Sequence, residues 1–210
     1  MRNNLFPIAK EGWKYLFLSL PLSILFLLVD WNLLAFITFI ITLFSFYVFR
    51  NPERELPLFE ANSFLAPSDG VVNSIEEINE NGYLYKVEIE GSYLDVALLR
   101  VPMKAQLISS QKYNGTRVSK QSSLFEALNE NLTLTFEDEQ NNNFRVEFRV
   151  KNSFCSLESN LIVAQKLNQA ARFGFMLHGV TTLYLPSNFR LNIQRGNRLK
   201  ASESLIGYFS

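Results

Sequence analysis

A single histidine, His178, stands directly before Gly179 in this 210-residue chain. Its imidazole titrates near neutral pH without help, so general acid–base chemistry would start there. A lone histidine, however, is more often packed or partly solvated than catalytic. The single cysteine, Cys155, lies in the polar run Asn152-Ser153-Phe154-Cys155-Ser156 and reads as an inert thiol. Alone it permits neither an intrachain disulfide nor a multi-cysteine metal site. A carboxylate, Asp69, sits in Pro67-Ser68-Asp69-Gly70, where each residue also suits a β-turn. Gly91-Ser92 is the sole Gly-Ser dipeptide, and a turn between strands is its natural reading. Thr181 and Thr182 lie close to Gly179, but the residue that follows this glycine is Val180.

The elements that must position these residues fall into two kinds. Tyr15 to Val29 and Leu33 to Phe49 are uncharged and almost wholly apolar, separated by Asp30-Trp31-Asn32. At about 1.5 Å rise per residue each run spans ~22–26 Å, slightly less than a ~30 Å hydrocarbon core. Trp13, Lys14, Trp31 and Arg50 flank the runs and complete them by snorkelling or interfacial placement. Ser19, Ser23, Thr38, Thr42 and Ser45 are the only polar breaks, so no polar face is expected. Pro21 is tolerated in a membrane span. Val29-Asp30-Trp31-Asn32 offers no small-residue cleavage site for a signal peptide. A transmembrane helical hairpin is the expectation. Arg2, Lys10 and Lys14 before it, with Arg50 and Arg54 after it, place both ends on the cytoplasmic side.

Beyond the hairpin the pattern changes. Residues 51–63 hold two prolines and read as a linker. From residue 64 to residue 210 short alternating segments recur: Val71 to Ile75, Tyr83 to Ile89, Leu132 to Phe136, Phe144 to Val150, Leu183 to Leu185 and Leu191 to Ile193. Asn81-Gly82 is a turn signal, and Glu137 to Asn143 is a polar loop between two strands. Ser122 to Asn129 and Leu161 to Gln169 are the two helical candidates. The expected fold class is mainly β, a sandwich or barrel-like domain with a few short helices, preceded by the hairpin of residues 1–50. Twenty basic residues balance twenty acidic ones, which gives no case for nucleic-acid binding.

Several motifs, in order, resemble the short membrane-anchored form of phosphatidylserine decarboxylase. Phe49-Arg50-Asn51-Pro52-Glu53-Arg54 is similar to the family's Phe-Arg-Asp-Pro-x-Arg, with Asn51 in place of aspartate. Ala66-Pro67-Ser68-Asp69-Gly70 matches Ser-Pro-Ala-Asp-Gly. Asp95-Val96-Ala97-Leu98-Leu99-Arg100-Val101-Pro102 keeps the frame of Asp-Val-His…Arg-x-Pro, with Ala97 at the histidine. Asn129-Glu130-Asn131 stands for Asn-Glu-Arg. Arg172-Phe173-Gly174, Gly179-Val180 and Tyr184-Leu185-Pro186 follow Arg-Phe-Gly, Gly-Ser and Tyr-Leu-Pro, one residue short between Gly179 and Tyr184.

That resemblance implies a triad in which Asp and His activate a Ser hydroxyl against the preceding Gly carbonyl. The backbone splits there and leaves a pyruvoyl cofactor that supports decarboxylation of phosphatidylserine. Asp69 is the retained triad position and Ala97 the lost histidine. Gly179 and Val180 form a degenerate cleavage site, with His178 as a pocket residue beside it. The expectation is therefore a catalytically inactive relative linked to phospholipid metabolism, with no pyruvoyl group. It would act at the inner or cytoplasmic membrane by binding anionic lipid headgroups or another membrane protein. An active decarboxylase with relocated catalytic residues, producing phosphatidylethanolamine, is the alternative. If the scaffold is intact, Asp69, Ala97 and Gly179 should meet in space, with room at Ala97 for His178 or water.

Overall fold

The computed structural model describes residues 6–55, 62–80 and 82–210, so Arg2, Asn81 and part of the expected linker lie outside the described residues. The chain divides into two compact units, Met1–Glu53 and Arg54–Ser210.

In the first unit a 3-10 turn, Lys10–Gly12, leads into helix α1 (Trp13–Leu28), and helix α2 (Asn32–Val48) follows a short turn. Asp30 makes that turn at φ +61°. Helix α1 with its 3-10 start is long and apolar enough to cross a membrane, while α2 is shorter. The two pack on a stripe of small residues: Ser19, Ser23, Ala35, Thr38, Thr42 and Ser45 are all buried. The Ser23 hydroxyl donates to the Ala35 carbonyl at 3.1 Å, across the pair. Thr38, Thr42 and Ser45 donate back to carbonyls four residues earlier in α2, which satisfies each hydroxyl locally. The supposed breaks are thus a polar seam, which corrects the expectation of helices without a polar side. Phe17, Leu18, Ile24, Leu33 and Phe36 point outward instead. At the unit's ends, the Asn51 side chain donates to the Phe6 carbonyl at 2.8 Å. An aspartate there has no such donor when ionised.

The second unit is mainly β. Its strands are β1 (Ser63–Leu65), β2 (Gly70–Glu80), β3 (Tyr83–Glu90), β4 (Leu98–Arg100), β5 (Ala105–Tyr113), β6 (Asn131–Glu137) and β7 (Asn143–Val150). They continue as β8 (Glu158–Ser159), β9 (Lys166–Leu167), β10 (Arg172–Phe175), β11 (Gly179–Pro186), β12 (Phe189–Leu191), β13 (Arg198–Leu199) and β14 (Leu205–Phe209). A curled antiparallel sheet runs β13-β2-β3-β11-β7-β6-β5-β9, and two three-stranded sheets, β1-β14-β12 and β4-β10-β8, complete the unit.

Alternation explains the core. Val87 and Ile89 on β3, Leu183 and Leu185 on β11, Val146 and Phe148 on β7, and Leu132 and Leu134 on β6 share one face and are fully buried. Register brings them together, with Leu183 opposite both Val87 and Val146. Phe64 packs edge-on against Phe144 and Phe189, tying the small β1-β14-β12 sheet to the large one. Helix α3 (Phe125–Leu128) falls inside the first helical candidate. Leu161 to Gln169 is not a helix: turns lead into β9, which pairs with β5. The apolar run there packs Leu167 into the sheet core and leaves Ile162 and Val163 exposed, a division that short turns permit and a helical stripe would not.

Candidate active-site remnant

Gly70 begins β2 where a Cβ would come within 2.6 Å of the Glu90 carbonyl oxygen. Only glycine tolerates so close an approach, and it brings the preceding Asp69 against the end of β3. The Asp69 side chain is 9% exposed and fully engaged. Its Oδ2 accepts from Arg54 Nη2 at 2.7 Å and from the Val96 amide at 3.3 Å. Its Oδ1 accepts from the Ala201 amide at 2.8 Å. Arg54, 6% exposed, also donates to the Ala201 carbonyl and lies 3.7 Å from Glu203. Arg54 is therefore a buried clasp rather than a basic flank reaching for lipid. One carboxylate joins three chain segments.

Ala97 follows Val96 and is buried, and its carbonyl accepts from the Met176 amide at 2.8 Å. Gly179 opens β11, and its carbonyl accepts from the Gly91 amide at 2.9 Å. A Cβ at Gly179 would lie 2.6 Å from both the Arg149 carbonyl and Met176 Sδ, so this glycine has a packing reason of its own. The Ser68 hydroxyl donates to Thr181 Oγ1 at 2.8 Å, both residues buried. These bonds bring Asp69, Ala97 and Gly179 to one locality, although 110 positions separate the first from the last.

Val180 is 4% exposed and sits in register with Glu90 on β3 and Arg149 on β7. Leu183 and Leu185 join the core, so alternation puts Val180 on the opposite face. The pairing of β11 with β7 is continuous from Gly179 to Tyr184. The missing residue leaves no loop.

His178 directly precedes Gly179 but has its own surroundings. It has φ +62°, its ring stacks on Tyr93 at 4.4 Å, and its Nδ1 is buried. It lines a cavity of about 360 Å³ with Glu90, Gly91, Ser92, Lys151 and Arg195, a wall to which neither Asp69 nor Ala97 contributes. Burial first, then the Lys151 ammonium, push His178 below its ordinary value; backbone hydrogen bonds with Asn152 and Lys151 and the charge of Glu90 oppose this. Glu90 pairs with Lys151 and lies 3.5 Å from Lys120. Burial alone would raise its carboxyl, but the two ammoniums outweigh burial and hold it low.

Ser92 caps its own turn: its amide and hydroxyl both donate to Asp95 Oδ2, at 2.9 and 2.8 Å, and Arg198 holds Asp95 Oδ1 at 2.7 Å. Asp95, a retained landmark, is thereby structural in this chain. Cys155 is buried, with its amide bound to Ser153 Oγ. Among the described residues no cluster of three His, Cys, Asp or Glu is placed to hold a metal. The Arg54–Asp69 clasp and the Lys151–Glu90 pair were not foreseen from sequence. Only the landmark status of Arg54 and Asp69 marked them, and nothing in the alternation of β3 and β7 marks Lys151.

The family model described as phosphatidylserine decarboxylase matches residues 41–207. Curated relatives named phosphatidylserine decarboxylase proenzyme cover almost the whole chain. The protein of Geotalea uraniireducens is 27% identical over 99% of both chains, and that of Geotalea daltonii 29% identical over the same shares. The Wolbachia pipientis protein is 27% identical over 95% of this chain and 90% of its own.

Proposed function

The chain belongs to the phosphatidylserine decarboxylase family, and on that premise we propose that it is a membrane-anchored member that neither cuts itself nor decarboxylates. It works by binding a lipid headgroup or another membrane protein. The observation that carries this reading is the pair Ala97 and Val180. Position 97 holds an alanine, which cannot move a proton, and the residue directly after Gly179 is a valine, which has no hydroxyl to attack the carbonyl. A pyruvoyl group derives from serine, so the residues here do not fit it. The engagement of both Asp69 oxygens supports a structural reason for its retention.

Intact-mass spectrometry of the purified full chain tests this. One species near the 24.2 kDa of the whole sequence is expected. A carbonyl-blocked fragment beginning at position 180 would overturn the reading. A second reading, an active decarboxylase with relocated residues, draws on Gly91-Ser92, the Gly-Ser bond that shares a cavity wall with His178. It predicts a split after Gly91, which the same spectrum separates from the first.

The anchor belongs to the same proposal. Residues 1–50 form a helical hairpin in the bilayer, residues 51–63 leave it, and residues 64–210 stand on the cytoplasmic face of the inner membrane. Small hydroxyl residues inside with Leu, Phe and Ile outside support it, since helices in lipid associate through small residues. Cysteines placed at 3, 31 and 55, with Cys155 replaced, should react with an impermeant reagent in intact cells only at 31. Labelling of the ends alone would reverse the orientation.

A further inference from the structure

We propose that the cavity beside His178 binds a phosphate monoester, with Arg195 at its mouth and Lys151 and His178 as inner contacts. This rests on the reading that the site binds rather than cuts. The cavity, about 360 Å³, falls in the range of small-ligand sites. Its wall carries two cations, Lys151 and Arg195, against one carboxylate, Glu90, and that carboxylate also faces Lys120. Lys151 is buried at 8% exposure, a position that desolvates its charge and strengthens any contact made there. The imidazole of His178 lies on the same wall and makes backbone hydrogen bonds with the Lys151–Asn152 segment, so its titration reports on what enters the cavity.

Two cationic residues thus line one space, one of them shared with Glu90. A carboxylate offers two oxygens, whereas a phosphate monoester offers three and fills more of the volume. An anion in the cavity also favours the protonated imidazole through its charge. Arg195 lies on the exposed turn between β12 and β13 and is free of the Lys151–Glu90 pairing, so it can take up the outermost oxygen.

The phosphate has two possible sources, a soluble ester or a lipid headgroup. Tyr93 stacks on His178 and, at 6.1 Å, on Phe154. Leu94 and Phe154 are exposed beside it, at 59% and 48%. Acyl chains leaving a headgroup in the cavity would meet that apolar pair.

His178 is the sole histidine, so its imidazole signals in NMR report on this cavity alone. The full chain, in zwitterionic micelles, is titrated first with inorganic phosphate and glycerol phosphate, then with a short-chain phosphatidic acid. Chloride at matched ionic strength is the control. A saturable shift of the His178 signals is expected, with its titration midpoint rising by ~1 pH unit. Arg195→Ala, an exposed change, should weaken binding roughly tenfold. If the phosphatidic acid binds much more tightly and Leu94→Ser removes that advantage, the source is a lipid; equal affinities make it a soluble ester. No saturable shift, a shift matched by chloride, or one unchanged in Arg195→Ala overturns the proposal. The intact-mass test of the whole chain is independent of all these outcomes, so the two readings fail separately.

Discussion

The two units of this chain bury opposite things. In Arg54–Ser210, Phe136, Phe144 and Phe148 are sealed inside and charged side chains alternate outward along the same strands. In Met1–Glu53, Ser19, Ser23, Thr38 and Thr42 are sealed inside, and Phe17, Leu18, Leu28 and Leu33 face outward at more than 70% exposure or close to it. Water drives the first arrangement, because burying apolar area is favourable only against water. In hydrocarbon that drive vanishes between helices, and close approach with local hydrogen bonding takes its place. The same residue types therefore play reversed parts. Exposure of a phenylalanine means aggregation risk in the β unit; on the proposed hairpin it would be a lipid contact.

The largest effect that can break this contrast is a matched pair of truncations. Phe148→Ala in the β unit should cost ~3–5 kcal/mol, the range for a fully buried aromatic. Phe17→Ala, at 71% exposure, should stay within ~0.5 kcal/mol for the helix pair in micelles. Denaturant unfolding followed by circular dichroism and near-ultraviolet signals measures both. Equal costs would mean that the helices bury their large side chains against something in the chain, and the reversal would be lost.

The clasp comes next. Asp69→Ala takes the closest ionic partner from the buried Arg54, leaving it Glu203 at 3.7 Å and the Ala201 carbonyl, and should cost up to ~3–5 kcal/mol. Adding Arg54→Ala should recover part of that loss, a non-additivity that a double-mutant cycle reads directly. A catalytic aspartate held only for chemistry would show a small stability cost and no coupling to Arg54. Ser23→Ala then tests the seam of the helix pair, where a single hydrogen bond in a membrane is worth about 0.6 kcal/mol. A loss of 2 kcal/mol or more would say that the pair relies on polar contacts rather than on close packing.

How legible was all this in the sequence? The strands were, because alternation writes itself into positions such as Leu132-Thr133-Leu134-Thr135-Phe136, and the core follows from it. The locality of Asp69, Ala97 and Gly179 followed from motif order, which no periodicity could have supplied. Leu161 to Gln169 misled, since its apolar residues are spaced as in a helix but serve a turn and a two-residue strand. The seam in the helices was visible only as interruptions: Ser23, Thr38 and Thr42 are sparse in the sequence and line up only once the two helices face each other. The cavity was illegible. Glu90, Lys151 and Arg195 come from three strand ends or turns, and antiparallel register alone gathers them.

The smallest effect is a proton, and it reaches one unit only. His178, Glu88 and Glu90, whose surroundings move their titration, all lie in the β unit. His178 is held below its ordinary 6.5 by burial and by Lys151, against the pull of Glu90 and the backbone; Tyr93 covers its ring and Arg195 shares its cavity. As pH falls, the unfolded chain therefore takes up this proton before the folded one does. The contribution to stability is complete above about pH 6.5 and is lost as pH drops through the folded value. Glu88 and Glu90, held below 4.5 by their lysines in spite of burial, add a second loss of the same sign further down. Unfolding free energy measured from pH 8 down to pH 2 should thus decline in two stages, the second below about pH 4.5. His178→Asn keeps a residue that accepts φ +62° and removes the upper stage while leaving the lower one. Parallel curves for the two chains between pH 7 and pH 5 would show that the imidazole is solvated in solution. The helical signal of α1 and α2 should stay constant throughout, because neither helix contains Asp, Glu or His.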